Sequence, residues 1–290
     1  MAGKVLDGQA AAHRVEARVA AEAERIQRST GQPLRLDAIL VGDDPASEIY
    51  VRRKREAAAR AKVDSRLHVL PPTSTTRSVA DLIATLNRDD AVTGVLLQLP
   101  LPDGIAKDGL LEAIDPAKDV DGFHPLNLGR AVAGTGALLP ATPKGILQLL
   151  DDAHVPLKGQ EVVIVNHGNL IGRPLAALLM QRDATVTVCH KFTRDLAAHT
   201  RRADVLVTAT GVAGLIGAGH VKPGAVVIDA GIARDGKKVV GDVRFDEVLA
   251  VASLLTPVPG GVGPMTVASL LDNVLAAHRL QHPGALKTSP

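Results

Sequence analysis

Apolar and polar positions along this chain follow two alternating periods. Gly8 to Gln27 carries apolar residues at helical spacing among Ala, Glu and Arg, and predicts a helix. Leu34 to Val41 is a compact apolar run ending at Gly42, the pattern of a buried strand. Ser47 to Ala61 predicts helix, and Arg66 to Leu70 predicts a strand closed by Pro71-Pro72. Val79 to Leu86 reads as helix, Gly94 to Leu99 as a second buried strand, and Leu110 to Ile114 as a short helix before Asp115-Pro116. Such a βαβα rhythm implies a parallel sheet with helices on both faces.

The rhythm restarts after Gly134-Thr135-Gly136, which places a domain boundary near Leu139. Pro143 to Leu150 predicts a helix with Pro in its first turn. Glu161 to Val165 predicts a strand, and Arg173 to Gln181 the helix that follows it. Ala184 to Cys189, Val205 to Ala209 and Ala225 to Ala230 predict three more strands. The expected fold is α/β with two domains, 1–139 and 140–264, each a mostly parallel sheet flanked by helices. The second domain has the order of a Rossmann-type dinucleotide-binding unit. A last helix begins at Met265 after Gly263-Pro264, runs to Leu280, and by pattern alone packs on either domain. The final few residues of 265–290 read as disordered.

At 290 residues, two domains agree with the length. Hydrophobic content of 46% with 22% charged residues is ordinary for a globular protein, and the net charge of +2 leaves no electrostatic footprint for nucleic acid. No apolar stretch approaches the roughly 18 residues of a membrane span, and Met1 to Asp7 is too polar for a signal peptide. The single cysteine, Cys189, excludes an intrachain disulfide and a cysteine metal cluster. These features suggest a soluble cytoplasmic protein.

Candidate chemistry begins at Tyr50, the one tyrosine in a chain with three Phe and no Trp. It precedes Lys54 by four residues in Asp43-Asp44-Pro45-Ala46-Ser47-Glu48-Ile49-Tyr50-Val51-Arg52-Arg53-Lys54, so ring and amine share one helix face. A ring there can stack on a planar substrate, and the amine beside it can handle protons. The spacing alone is also met by a tyrosine at a helix edge and a lysine in water.

In the second half, the strand Val162-Val163-Ile164-Val165 leads into Asn166-His167-Gly168-Asn169-Leu170-Ile171-Gly172-Arg173. A glycine turn opening a helix offers free N–H groups and a helix dipole to a phosphate. With only Gly168 and Gly172, the turn fits a purely structural role as well. After the next strand stands Cys189-His190-Lys191, where sites for NAD often place an acidic residue on the ribose hydroxyls. Lys191 would instead attract a 2′-phosphate, unless it is a solvated loop residue. Thr208-Ala209-Thr210-Gly211 and Asp229-Ala230-Gly231-Ile232 follow strands at the sheet's carboxyl edge, where such folds bind ligands. Pro257-Val258-Pro259-Gly260-Gly261-Val262-Gly263-Pro264-Met265-Thr266 sets glycines between prolines before a helix, a rigid turn with backbone groups free to touch a ligand.

Taken together, these motifs resemble one family. Asp44-Pro45-Ala46-Ser47 with Tyr50 and Lys54, Gln98-Leu99-Pro100-Leu101-Pro102, Lys118-Asp119-Val120-Asp121-Gly122 and the 257–266 turn occur in the order found in the bifunctional methylenetetrahydrofolate dehydrogenase/cyclohydrolase (FolD) family. The resemblance spans roughly Leu6 to Arg279. It implies oxidation of 5,10-methylenetetrahydrofolate with NADP, then hydrolysis of the methenyl cation to 10-formyltetrahydrofolate, without a metal. It implies a folate-binding first domain, a cleft between the domains, return of the last helix to the first domain, and a homodimer. The residues implied as catalytic are Lys54, Gln98, Asp121 and Tyr50. Lys54 would activate water and manage protons, best with a pKa near working pH. Gln98 would hold Lys54, Tyr50 would stack on the folate, and Asp121 would accept hydrogen bonds from the pterin. Leu99, Pro259, Gly260 and Gly261 complete the implied folate contacts. The implied cofactor residues are Asn166, His167, Gly168, Gly172, Arg173, Lys191, Thr210, Gly211 and Ile232. By the residues alone, Gln98 also serves as a strand-edge cap and Asp121 as a turn residue.

The chain departs from the family at the cofactor. Asn166, His167 and Gly168 stand where Gly-Arg-Ser is usual, and Lys191 replaces a serine in Cys189-His190-Lys191-Phe192-Thr193. The Arg and Ser that hold the 2′-phosphate in many members are thus both replaced, with Lys191 as the substitute, helped by His167 or Arg173. NADP is the expected cofactor, with NAD as the alternative. Pro140-Ala141-Thr142-Pro143 lacks the family's thiol.

Overall fold

The protein is described by a computed structural model, which covers residues 3–236 and 238–283. The expectation of disorder at the carboxyl terminus falls on residues outside that range. In chain order the elements are β1 (Lys4–Val5), α1 (Gly8–Thr30), β2 (Arg35–Val41), α2 (Pro45–Arg60), β3 (Asp64–Leu70), α3 (Thr76–Arg88), β4 (Gly94–Leu97), α4 (Lys107–Ala113), α5 (Pro125–Val132) and α6 (Ala141–Asp152). They continue with β5 (Glu161–Val165), α7 (Gly172–Met180), β6 (Thr185–Cys189), α8 (Leu196–Thr200), β7 (Val205–Thr208), β8 (Val226–Asp229), β9 (Ala233–Asp235), β10 (Lys238–Val240), α9 (Phe245–Leu249), β11 (Leu254–Leu255) and α10 (Val262–Gln281).

Two compact units divide the chain, one of residues 13–141 with the segment from 267 on, the other of the residues up to 12 with 142–266. The amino end, expected in the first domain, packs instead with residues 142–266. There β1 pairs in parallel with β11, Lys4 opposite Leu254 and Val5 opposite Leu255. Lys4 and Val5 are both exposed, so no apolar pattern announces that strand.

The unit of residues 13–141 holds a three-stranded parallel sheet in the order β3-β2-β4. Every residue of the central strand β2 is buried, as its run of apolar residues requires. The strand also buries two charges that the run conceals: Arg35 and Asp37 pair at 2.7 Å, and His68 reaches the same carboxylate at 2.6 Å. On one face α3 buries Val79, Ile83 and Leu86, residues at i, i+4 and i+7, among Ile39, Val41, Val95 and Leu97. On the other, Val19, Ala23 and Ile26 of α1 meet Ala57, Ala58 and Ala61 and Leu270, Leu271, Val274 and Leu275 of α10. The α10 residue Asn273 donates to the carbonyls of Val120 and Leu139, and Gln281 to those of Thr93 and Ala117.

The other unit holds a six-stranded sheet, β1-β11-β8-β7-β5-β6, parallel at every pair. From β6 the chain crosses back over β5 to form β7. The carboxyl ends of β5 and β7 are therefore a topological switch point, where open α/β sheets leave a crevice for ligands. Beside the sheet, β9 and β10 make a short antiparallel hairpin.

Candidate functional site

In the first unit the chemistry is set up at the start of α2. Asp44 accepts hydrogen bonds from the backbone N and hydroxyl of Ser47, both at 2.8 Å, and Pro45 occupies the first helical turn. The Asp-Pro-x-Ser run is thus a helix start that sets the phase of everything after it. That phase places Tyr50 and Lys54 on one face, each half-buried.

Gln98 follows β4 directly and is 7% exposed. Its backbone N donates to Ile39, and its side-chain amide N donates to the Leu99 carbonyl at 2.6 Å. With the NH2 group so committed, Oε1 is the end left to face Lys54, whose Nζ donates to it at 3.2 Å. The bond joins helix α2 to the carboxyl end of β4 across 44 residues.

Asp121 is carried by the segment Lys118 to Gly122, which runs beside β4: Val95 N donates to the Lys118 carbonyl, and Val95 bridges Asp119 in parallel. Lys118 is buried, and its ammonium donates to the carbonyls of Leu86, Asn87 and Asp89 at the end of α3. Asp119 accepts from the backbone N of Gly122, Phe123 and His124 and from Asn127 Nδ2. Lys118 and Asp119 therefore clamp the turn that carries Asp121. A side chain at position 122 would stand 2.5 Å from the Leu139 carbonyl carbon, at a φ of +74°. Burial pushes the Asp121 carboxyl above the usual carboxylate range; the Lys54 charge opposes that, and Asp119 adds to it.

The structure thus brings Tyr50, Lys54, Gln98, Leu99 and Asp121 to one unit, at the carboxyl ends of β2 and β4. The other predicted residues belong to the second unit. Pro259, Gly260 and Gly261 form the turn before α10, and the Gly260 carbonyl is engaged by Gln9 N at 3.1 Å.

At the end of β5, two of the turn N–H groups, those of Gly168 and Gly172, are taken up within the turn. Asn166 Oδ1 accepts from Gly168 N at 2.8 Å and Gly172 N at 3.0 Å, and its Nδ2 donates to the Ala209 carbonyl at 2.6 Å. Asn166 is the internal tie of the turn, joining it to the end of β7 at the switch point. His167, Arg173 and Lys191 are exposed. The His167 ring lies 5.1 Å from that of His190, and Lys191 Nζ stands 4.9 Å from the centre of the Phe192 ring. The cationic Lys191 at the end of β6, where an acidic residue would hold ribose hydroxyls, fits a dinucleotide bearing a 2′-phosphate. Thr210, Gly211 and Ile232 sit on the turns after β7 and β8.

Residues 6–121 match the family described as tetrahydrofolate dehydrogenase/cyclohydrolase, catalytic domain, and residues 140–282 match its NAD(P)-binding domain. The chain belongs to this family. It is 51% identical over 280 residues to Bifunctional protein FolD 1 of Rubrobacter xylanophilus, covering 96% of this chain and 98% of that protein. The crystal structure of the bifunctional FolD enzyme of Campylobacter jejuni superposes with a TM-score of 0.93 at 44% identity, covering 96% of this chain and 100% of the other. The Trypanosoma brucei FolD dehydrogenase-cyclohydrolase, solved with NADP and an inhibitor, gives a TM-score of 0.93 at 36% identity, with 97% and 98% covered. The family's NAD(P)-binding match includes α10, whose residues from 267 on pack in the first unit.

Among residues that the sequence reading left without a role, Lys118 and Asp119 stand inside a motif already singled out. The Asp-x-Asp-Gly spacing signals a turn but not which carboxylate is spent on it. His190 and Phe192 likewise lie in the 189–193 motif, and the ring contacts set them beside His167 and Lys191.

Proposed function

We propose that this FolD-family protein oxidises 5,10-methylenetetrahydrofolate to the 5,10-methenyl cation with NADP, then hydrolyses the cation to 10-formyltetrahydrofolate, in one-carbon metabolism. The Lys54–Gln98 hydrogen bond of 3.2 Å, in the unit that also holds Tyr50 and Asp121, carries the reading. Its chemistry suits a cationic amidine. Water attacks the methenyl carbon, the adduct loses one proton to give a neutral carbinol, and the carbinol's hydroxyl proton passes to N5 as the carbon–N5 bond breaks to leave the formyl group on N10. Lys54 is the group to move those protons, with Gln98 fixing where its nitrogen stands. Tyr50, one turn earlier, stacks on the planar folate, and Asp121 accepts from the pterin's amino and ring N–H groups. Leu99, Pro259, Gly260 and Gly261 supply further folate contacts.

When bound, the nicotinamide accepts the hydride. Gly168, Gly172, Thr210, Gly211 and Ile232 present the edge that takes the dinucleotide, with Asn166 holding the turn in shape. Lys191 supplies positive charge to the 2′-phosphate in place of the family's usual Arg and Ser, with help from His167 or Arg173. A homodimer belongs to the proposal. It is supported by β6, an edge strand whose Val188 is exposed, Met180 and Phe192 being exposed as well. Cytoplasmic location is proposed on the single thiol, Cys189, which is free and buried. Among the described residues no helix is long and apolar enough to cross a membrane.

The test follows absorbance on mixing the protein with methylenetetrahydrofolate and NADP or NAD, and separately with methenyltetrahydrofolate alone, each repeated with Lys54→Met. Reduced cofactor and a methenyl hydrolysis that collapses in the variant are expected. The ratio of rates with NADP and NAD reads the cationic substitution at position 191. Absence of turnover with both cofactors overturns the reading.

A further inference from the structure

Two turns of the second unit, after β7 and β8, carry the proposed cofactor residues Thr210, Gly211 and Ile232. Both are held by a pair of buried aspartates that touch no proposed ligand. Asp242 has no exposed surface. Its Oδ2 accepts from the Thr208 hydroxyl at 2.6 Å and Thr210 N at 2.5 Å, and its Oδ1 accepts from Val212 N at 3.0 Å. Asp229 is 3% exposed. Its Oδ1 accepts from Gly231 N at 2.9 Å and Asp242 N at 3.2 Å, and its Oδ2 from Val243 N at 2.9 Å. Its own backbone N is tied to the Thr256 hydroxyl at 2.7 Å. A side chain at position 231 would stand 2.1 Å from Asp242 Oδ1, so the β8 turn closes directly on the second carboxylate.

The arrangement costs free energy. Each of these hydrogen bonds to the two carboxylates comes from a neutral donor, and burying an anion without a cation is unfavourable. A turn needing only closure would be served by neutral groups. What two anions add is orientation: a carboxylate accepts from several N–H groups at once and fixes the peptide planes that bear them. Here those planes are at Thr210, Val212 and Gly231, which flank or form the cofactor edge.

We infer that Asp229 and Asp242 are positioning residues for the dinucleotide, setting the shape of the 210–212 and 231–232 turns and through them cofactor affinity, while leaving the folate-side chemistry alone. The inference rests on the proposed dehydrogenase function. It predicts a split between the two activities, because methenyl hydrolysis needs no dinucleotide.

The experiment measures the dissociation constant for NADPH by its fluorescence, alongside hydrolysis of methenyltetrahydrofolate, in the unaltered protein, Thr208→Val, Thr208→Ser and Asp242→Asn. Thr208→Val removes one hydrogen bond to the carboxylate in a side chain of the same shape and keeps the fold testable if Asp242→Asn fails to fold. The expected result is NADPH binding weakened roughly tenfold in Thr208→Val, the size of one charge-assisted hydrogen bond. Thr208→Ser should restore it, with hydrolysis within about twofold of the unaltered protein throughout. Unchanged NADPH affinity in Thr208→Val overturns the inference alone, as does a parallel fall of binding and hydrolysis. If the unaltered protein binds no dinucleotide, the functional reading falls and this inference with it.

Discussion

Asp229 makes stability depend on pH in a direction opposite to most carboxylates. Burial pushes its carboxyl up to about 6, against the 3.8 of a free aspartate, with the charge of Asp242 adding to burial and the backbone donors at Val243, Gly231 and Asp242 opposing it. Because the folded-state pKa is raised, the native state holds the proton more tightly than the unfolded chain. The contribution to stability is therefore full below the unfolded pKa and is lost as pH rises through the folded one. A shift of this size is worth about 3 kcal/mol in all, of which about 2 kcal/mol falls between about pH 4 and 7. The perturbation is Asp229→Asn, which keeps one acceptor oxygen and the volume but cannot ionise. Its lost hydrogen bond is a constant offset, so the pH-dependent part remains visible. Urea denaturation of both proteins across that range should show the variant's deficit shrinking by about 2 kcal/mol as pH rises. Asp242 is the neighbouring titratable group, so the difference reports the pair. A deficit that stays constant or grows with pH would refute the account of a carboxyl whose ionisation burial opposes.

Further outcomes follow from the site and the core. Lys54→Met removes the charge that opposes the upward push on Asp121, so binding of a folate analogue that needs ionised Asp121 should move its midpoint to higher pH; an unmoved midpoint in a binding titration would disprove that coupling. Asp119→Asn presents an NH2 group to a site that receives four donors, and should lower stability by about 2 kcal/mol or more in a urea melt while weakening folate-analogue binding through the displaced turn. Gly122→Ala forces a methyl group against the Leu139–Pro140 backbone and should destabilise by about 1–3 kcal/mol, read from the same melt. Ile83→Ala leaves a cavity in the α3–β4 core, and about 2–5 kcal/mol of lost stability is expected with both catalytic activities kept in the fraction that remains folded.

Much of the fold was legible because its elements advertise themselves locally. The periodicity of α3 is the spacing of Val79, Ile83 and Leu86, and the burial of β2 is written in its run of apolar residues. The run misled in one respect, since Arg35 and Asp37 are buried within it and only their pairing makes that tolerable. Short elements escaped for the opposite reason. The strands β1, β9, β10 and β11 and the helices α5, α8 and α9 are two to eight residues long, too brief to show a period.

Of the candidate site, the sequence by itself determined the chemistry available and its phase: Asp44-Pro45 starts a helix, and the start places Tyr50 and Lys54 on one face. Motif order pointed to the family, and the charge at Lys191 to a phosphorylated cofactor. Tertiary structure alone decided which polar groups are spent on the fold and which are left for a ligand. Asn166, implied as a cofactor residue, turns inward to Gly168, Gly172 and Ala209, and Lys118, a motif residue with no role assigned to it, caps α3. Asp119 and Asp121 are the same residue type two positions apart, yet the first is consumed by a turn and the second carries a carboxyl that burial pushes up. The physical reason is that a period reports which face a side chain lies on. Whether a donor finds its acceptor there depends on segments tens of residues away, and no local pattern records where those segments come to rest.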